Sequence, residues 1–531
     1  MRNRYVYWIV LLILFIGAIW LRTYKFSTYT FFWGDQARDL LVADRMIRDH
    51  VIPLVGPQLT VQGWHSPPTY YYLLTLFLLI GKTPQGTASF FVVLDLITLA
   101  LIVMLANSLV DRRMGLIVGA LYAVSYTMIS HARHMWQPYP MQVFLVTSLL
   151  LLQKGLTHKR TILVLLSALF YAIATSIYPA PILLLPFMTV HLYRYFSGTK
   201  HMSVQTAIVA TASMLLGCGI LIGLPQLLYE ANHGFPMVSA MTSSVGLATG
   251  TTVFHNLWQN SLGIFLSIAS LSWAYDHIRH ISVYIVIILF CAASFCMWYR
   301  SQRKADVYRK SFSFLNLPSL FVGFMLLLLF RDMYTYAQPY HRLFGFLPFF
   351  FLFFGLLIHY TFSYQSTLYR GIVIGLFLFY LFVNSMTIYD SLIRPNTSAQ
   401  SSHIQMAQRI AAHIMTAAKE RGIPQQEYSV VSFPPDDYWT SFVIPVQYFL
   451  HVRYQRPVVF GSDGNSIETE QPNRAVVFLV CANEEMKRLR ADCFQEFSAL
   501  MSPQYAYLSE QTFSSTTAVF TFVRRSEEVV Q

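Results

Sequence analysis

Trp33-Gly34-Asp35-Gln36-Ala37-Arg38-Asp39 comes a short distance after the first long apolar run, Tyr5 to Leu21. A polar loop then continues to His65-Ser66-Pro67-Pro68 before apolar sequence resumes. Ionised side chains this close to a membrane-length segment are costly unless they meet a polar partner or take part in chemistry. Beyond them, apolar runs near bilayer length recur as far as Asp390. The 531 residues are 55% hydrophobic and only 12% charged, a balance that ordinary water-soluble domains do not show. The fold class read from this pattern is mainly α, a polytopic bundle of membrane helices. The first run follows Arg2 and Arg4 as a signal peptide would. It lacks a small-residue cleavage site and more spans follow, so it reads as a retained anchor.

The net charge of +12 invites a nucleic-acid reading, but its placement argues against one. Basic residues gather in short loops at Arg112-Arg113, Lys154 to Arg160, Arg194 to Lys200 and Arg300 to Lys310. Such loops lie on the cytoplasmic side and fix orientation. With Met1 cytoplasmic, the first span delivers Phe26 outside, and Ala88 to Val110 returns. Thr69 to Ile80 therefore cannot cross, and at roughly a dozen residues it is shorter than a spanning helix needs. It is expected to lie in the interface. Continuing the count, Met114 to Ser130 exits, Tyr139 to Leu152 returns, Thr161 to Tyr178 exits and Pro181 to Phe196 returns. Ala207 to Leu224 then exits, Leu257 to Trp273 lies along the interface and Ile281 to Tyr299 returns. Phe314 to Phe330 exits, Leu343 to Tyr360 returns and Gly371 to Tyr389 exits. The total is about eleven spans with the C-terminus outside the plasma membrane.

After Arg394-Pro395-Asn396 the composition changes, dividing the chain into a membrane domain, 1–395, and a tail, 396–531. The first external loop, 25–87, belongs to the former. Ser402 to Lys419 has helical periodicity, and Tyr438 to His451 reads as a second helix. Tyr428 to Phe433, Ala475 to Cys481 and Thr517 to Val523 read as strands. The tail is thus expected to be a small extracytoplasmic α/β domain. Of the five cysteines, Cys218, Cys291 and Cys296 fall in apolar spans and read as packing. Cys481 and Cys493 lie in the polar tail, where a disulfide and free thiols are both open.

Asp35 and Asp39 are four residues apart and share a face of any helix beginning near Gly34. Asp35, at the helix start beside Trp33, suits a general base. Asp44, Arg45, Arg48 and Asp49 read instead as solvated ion pairs on a helix lying along the surface. In the second external loop, Ser130 to Pro138, Arg133 and His134 stand beside Trp136 and Gln137; a guanidinium there suits phosphate oxygens. A third external cluster holds Arg331-Asp332 and Gln338-Pro339-Tyr340-His341-Arg342, with His341 and Arg342 a second phosphate contact. His65, before the aromatic run Tyr70-Tyr71-Tyr72, and Glu230, opening a long external loop, are further candidate substrate contacts. Asp95, inside a span, is expected to pair with a polar neighbour. The sequence holds neither HExxH or CxxC metal spacing nor a Gly-rich nucleotide cradle, which argues against a cytosolic nucleotide donor.

Gly34-Asp35-Gln36, His65-Ser66-Pro67-Pro68-Thr69-Tyr70-Tyr71, the Arg133 loop and Tyr340-His341-Arg342 together resemble the GT-C membrane glycosyltransferases. The resemblance points to family 39, which includes protein O-mannosyltransferases and lipid A aminoarabinose transferases, and it covers the layout of residues 1–390. It implies a GT-C-type bundle and a polyprenyl-phosphate-linked sugar as donor. The implied acceptor is an extracytoplasmic hydroxyl of a protein, lipid or glycan. Carried onto this chain, it makes Asp35 the catalytic carboxylate and Arg133, His134, His341 and Arg342 the donor-phosphate contacts. Family members often carry Asp-Glu where this chain has Asp35-Gln36, so a second acid would be Asp39. Single displacement would invert the anomeric carbon. A divalent ion beside Asp35 is compatible with that chemistry. A transporter or lipid flippase is the rival class; it predicts midplane charges and repeated halves, and no internal repeat is present. A non-catalytic envelope assembly protein, with the tail as binding module, is a second rival.

Overall fold

The computed structural model describes residues 2–58, 65–158, 160–184, 204–239, 348, 351–352, 354–356, 358–359, 367–393, 403–432, 442–460, 467, 474–482, 490–501, 504–513 and 517–525. The chain opens with α1 (Arg2–Thr23) and one short turn, α2 (Phe26–Tyr29). The Asp35 helix, α3 (Gly34–Arg48), and the aromatic α4 (Thr69–Gly81) follow. Then come α5 (Pro84–Leu109), α6 (Arg112–Val124), α7 (Tyr126–His131), α8 (Met141–His158) and α9 (Thr161–Ile177). Further on, α10 (Val204–Cys218) runs through a π-helical turn, Gly219–Gly223, into α11 (Leu224–His233), and α12 spans Thr367–Ile388.

Among the described residues, Arg4–Thr23 and Pro84–Leu109 are long and apolar enough to cross a bilayer. Thr69–Gly81 and Thr161–Ile177 are shorter apolar helices. The expected span Met114 to Ser130 is broken. Ser125 stands at the break with its hydroxyl on the Met128 N–H, and the Asn384 side chain accepts from the Tyr126 N–H. Those two acceptors supply what the interrupted backbone would otherwise lack. The spans 257–273, 281–299 and 314–330, the loops 194–200 and 300–310, and Cys291 and Cys296 lie outside the described residues.

Inside the bundle, Arg22 at the end of α1 pairs with Asp95 of α5, which also accepts from Tyr122 at 2.6 Å. Arg22 reaches the Ala123 carbonyl as well, at 3.0 Å. A buried carboxylate in this position is tolerated because it is matched by a cation and a hydroxyl, as expected for Asp95.

The tail contains α13 (His403–Glu420), β1 (Tyr428–Val431), α14 (Val443–Tyr454), β2 (Val476–Ala482), α15 (Arg490–Met501), β3 (Tyr505–Thr512) and β4 (Thr517–Arg524). Its sheet runs β1-β2-β4-β3, with β1 and β2 parallel and the other pairs antiparallel. The period-two alternation of β2 sorts its side chains between two cores. Val476, Phe478 and Val480 face Ile410, Ile414 and Val446, whereas Val477, Leu479 and Cys481 face Phe497 and Met501 of α15. The first of these cores is continuous with that of the preceding helices α3 to α9. Cys481 and Cys493 form a disulfide that ties β2 to α15.

Candidate active site

Trp33 precedes α3 in extended conformation, and its N–H donates to the Gln36 side chain at 3.0 Å, which defines where the helix starts. That start is clamped by the tail. Trp33 meets His403 and Phe442 at ring separations of 4.9 and 5.6 Å, and Phe32 meets Tyr448 and Phe449 at 5.6 and 5.9 Å. On its other side α3 packs on α4. The surface-lying helix expected from sequence is therefore wrong for its first half, where all but one residue from Gly34 to Ala43 is buried. Asp44 is likewise not merely solvated: Arg48 lies 2.8 Å away and His451 of α14 3.4 Å away. The tail helix that covers this side of α3 comes from some four hundred positions later in the chain, beyond the reach of local spacing.

Asp35 and Asp39 share one cation. Arg38 places Nη1 3.0 Å from Asp35 Oδ1 and donates to Asp39 Oδ1 from Nη2 at 2.7 Å and Nε at 2.9 Å. Tyr71 of α4 donates to the same Asp39 oxygen at 3.3 Å, and Asp39 Oδ2 is buried without a partner. Asp39 is closed off, its side chain 1% exposed, whereas Asp35 stands 21% open. Burial pushes both carboxyls up, against the pull of Arg38, and Asp39 reaches about 6. Sequence reasoning paired the two acids by spacing and missed Arg38, whose i,i+3 relation to Asp35 was the available signal.

Three segments meet around this helix. Phe31 bridges to His134 and their rings lie 4.5 Å apart. Tyr70 donates to the Met135 carbonyl at 3.0 Å, and Ser66 donates to the Gln137 side chain at 3.0 Å. His65 is held through Nδ1 at 3.2 Å from the Gly56 carbonyl. Gly56 lies so close that a Cβ there would sit 2.2 Å from the Pro67 carbonyl oxygen, so only glycine fits. From α11, Gln226 donates to the His65 carbonyl at 3.0 Å. Glu230 is brought to the same end of the fold, but its carboxylate accepts from the Met237 and Val238 amides at 2.8 and 3.1 Å, which gives it a local structural use.

Arg133 is buried, and its Nη2 donates to the Leu21 and Tyr24 carbonyls at 2.6 and 2.9 Å, at the end of α1. Its Nε and Nη1 have no hydrogen-bond partner among the described residues. Desolvation lowers this guanidinium to about 10, so it stays charged at neutral pH. His134 differs. Burial, with His403 and Arg133 nearby, drives it down to about 3, so it offers an N–H or a lone pair but no charge. Asp35, Asp39, His65, Arg133, His134 and Gln137 are thus gathered at one end of the bundle. Tyr340, His341 and Arg342, with Arg331, Asp332 and Gln338, lie outside the described residues.

Among the described residues no group of three or more His, Cys, Asp and Glu side chains converges to hold a metal. Asp35 and Asp39 both face a guanidinium. That donor set does not fit a divalent cation, which asks for several oxygen ligands.

A family model for dolichyl-phosphate-mannose-protein mannosyltransferase matches residues 65–229, a stretch that holds His65, Arg133, His134 and Gln137 but begins after Asp35. No curated protein matches the chain in sequence. Among solved structures, it is similar to ArnT from Cupriavidus metallidurans in the apo state, with TM-score 0.51 and 10% identity, covering 97% of each chain. It is similar also to that ArnT bound to undecaprenyl phosphate, with TM-score 0.55 and 11% identity over 96% of this chain and 97% of the other. At such identities the likeness is one of fold. The chain thus shares the fold of that ArnT, and the family-model match is confined to residues 65–229.

Proposed function

We propose that this protein transfers a sugar, a hexose or pentose, from a polyprenyl-phosphate-linked donor to an extracytoplasmic hydroxyl of a protein, lipid or glycan. The observation that carries the reading is that Phe31, just before the open carboxylate Asp35, bridges to His134, next to a buried guanidinium, Arg133, that keeps two nitrogens unspent. ArnT of the same fold was crystallised with undecaprenyl phosphate, which supports a lipid-phosphate donor. The disulfide in the tail suits an oxidising compartment, and α14 packs directly on the Asp35 helix; both support an external chamber. The cytoplasmic N-terminus and multi-pass plasma-membrane placement follow from the basic loops.

In this mechanism Asp35 takes the acceptor proton as the acceptor oxygen attacks the anomeric carbon. The bond from that carbon to the phosphate oxygen breaks, and its electron pair leaves on the phosphate. Arg133 stabilises the charge that develops there, with His134 adding a neutral contact. A single displacement inverts the anomeric carbon. His341 and Arg342 are assigned to the same phosphate, and His65, Gln137, Tyr340 and Glu230 to the walls of the chamber.

The test supplies the purified chain with labelled polyprenyl-phosphate hexoses and pentoses and extracted envelope material. Label should move to the envelope fraction and stay on the lipid with Asp35→Asn. Equal transfer by wild type and variant, or none by the wild type from any of these donors, overturns the reading.

A further inference from the structure

Arg38, the cation between the two acids, takes no part in the sugar transfer as written above. Its geometry is asymmetric. Arg38 spends two N–H groups on Asp39, which Tyr71 also contacts, and turns its remaining nitrogen toward Asp35. Asp39 is sealed in the fold while Asp35 opens outward. All three side chains rise from adjacent turns of one helix whose start is capped by Gln36 and clamped by Trp33. Two carboxylates and one guanidinium leave a single net negative charge, and it resides where the site is open.

We propose that Arg38 is the positioning residue of the centre: anchored on Asp39, it holds Asp35 ionised and aimed at the acceptor. This rests on the reading of Asp35 as the base. Asp39 is then the anchor of the cation and not a second acid. When Asp35 takes the acceptor proton, Arg38 and Asp39 remain as a neutral pair, so the buried charge falls to zero as the acceptor oxygen attacks. Among the described residues, the other titratable groups around the trio include Tyr70 and Tyr71 of α4, His134 beyond Phe31, and His403 of α13 beyond Trp33. Burial raises the Tyr70 hydroxyl and keeps His134 neutral. Arg38 is therefore the nearest fixed positive charge to Asp35 among them.

The experiment reads protonation directly. The full-length protein in detergent is treated across a pH series with dicyclohexylcarbodiimide, which modifies protonated carboxyls, and adducts at Asp35 are quantified by fragmentation mass spectrometry. Removing the cation with Arg38→Met should extend Asp35 labelling to higher pH by a unit or more. Arg38→Lys keeps the charge but not the two-point grip on Asp39; its labelling curve should stay within half a unit of wild type. In the transfer assay both variants should lose tenfold or more in kcat, with the lipid-donor KM within threefold. A superimposed labelling curve for Arg38→Met in protein that elutes as wild type overturns the proposal. So does a loss confined to donor KM, which would make Arg38 a phosphate contact. If the labelling curve shifts but the wild type transfers no sugar, the positioning role stands and the transferase reading falls.

Discussion

His451 of α14 lies 3.4 Å from Asp44 of α3, so a residue of the tail holds the helix that bears Asp35. The same imidazole bonds through Nδ1 to the Arg456 carbonyl at 2.8 Å, and Asp44 also receives Arg48. Together with the rings packed on Trp33 and Phe32, this makes the tail a wall of the candidate site rather than a detached module.

That contact is pH-dependent with a definite sign. Asp44 raises the His451 imidazole above its ordinary value, outweighing burial. A raised histidine stabilises the fold fully below about pH 6.5, its unfolded value, and loses that contribution as pH climbs through the folded value. His451→Gln should therefore lower the melting temperature more at pH 5.5 than at pH 9, by an amount in keeping with about 1 kcal/mol for a partly exposed pair. An equal deficit at both pH values, measured by thermal unfolding of the whole chain, would show that the ion pair contributes nothing.

The Cys481–Cys493 bond closes a short loop, with a sequence separation of 12, between β2 and α15. Loops of this size are worth about 3 kcal/mol. Replacing both cysteines by serine should lower the unfolding temperature of the tail. Reductant should do the same to the wild type and leave the double variant unmoved. Native protein that alkylates at both positions without reductant would count against the bond.

How much of this was legible depends on range. The alternation of β2 and the periodicity of α13 lie within single elements, and both elements fall close to where the sequence put them. β3 went unseen because it is an edge strand whose Ser-Glu-Gln-Thr end carries no buried alternation. The motifs around Asp35, His65 and Arg133 were readable as separate signals, but not the contacts that join them. Phe31 to His134 spans more than a hundred residues, and Tyr71 to Asp39 joins two helices. Nor does spacing reveal that Arg133 spends one nitrogen on the end of α1 and leaves two unspent.

Asp35→Asn removes the base while keeping the side chain's size. A general base contributes about 10²–10⁴-fold, so transfer should fall by that range with little change in donor KM. Because burial raises the Asp35 carboxyl, the acidic limb of the wild-type kcat/KM profile should lie above the ordinary carboxylate range, with rate lost as pH falls through it. A profile flat down to pH 4 would remove Asp35 from the role.

Arg133 offers the sharpest division between structure and chemistry. Its Nη2 already holds the Leu21 and Tyr24 carbonyls, so only Nε and Nη1 remain for a phosphate. Lysine has one nitrogen and cannot serve both ends at once. Arg133→Lys should raise donor KM tenfold or more, and Arg133→Met should also cost about 10²–10³ in kcat, as removal of a donor to developing negative charge does elsewhere. The check is a titration with lipid-phosphate donor, paired with a melt that reports the lost carbonyl contacts. If the melt drops while donor KM and kcat hold, Arg133 only fastens the end of α1, and the leaving phosphate must be stabilised by another residue.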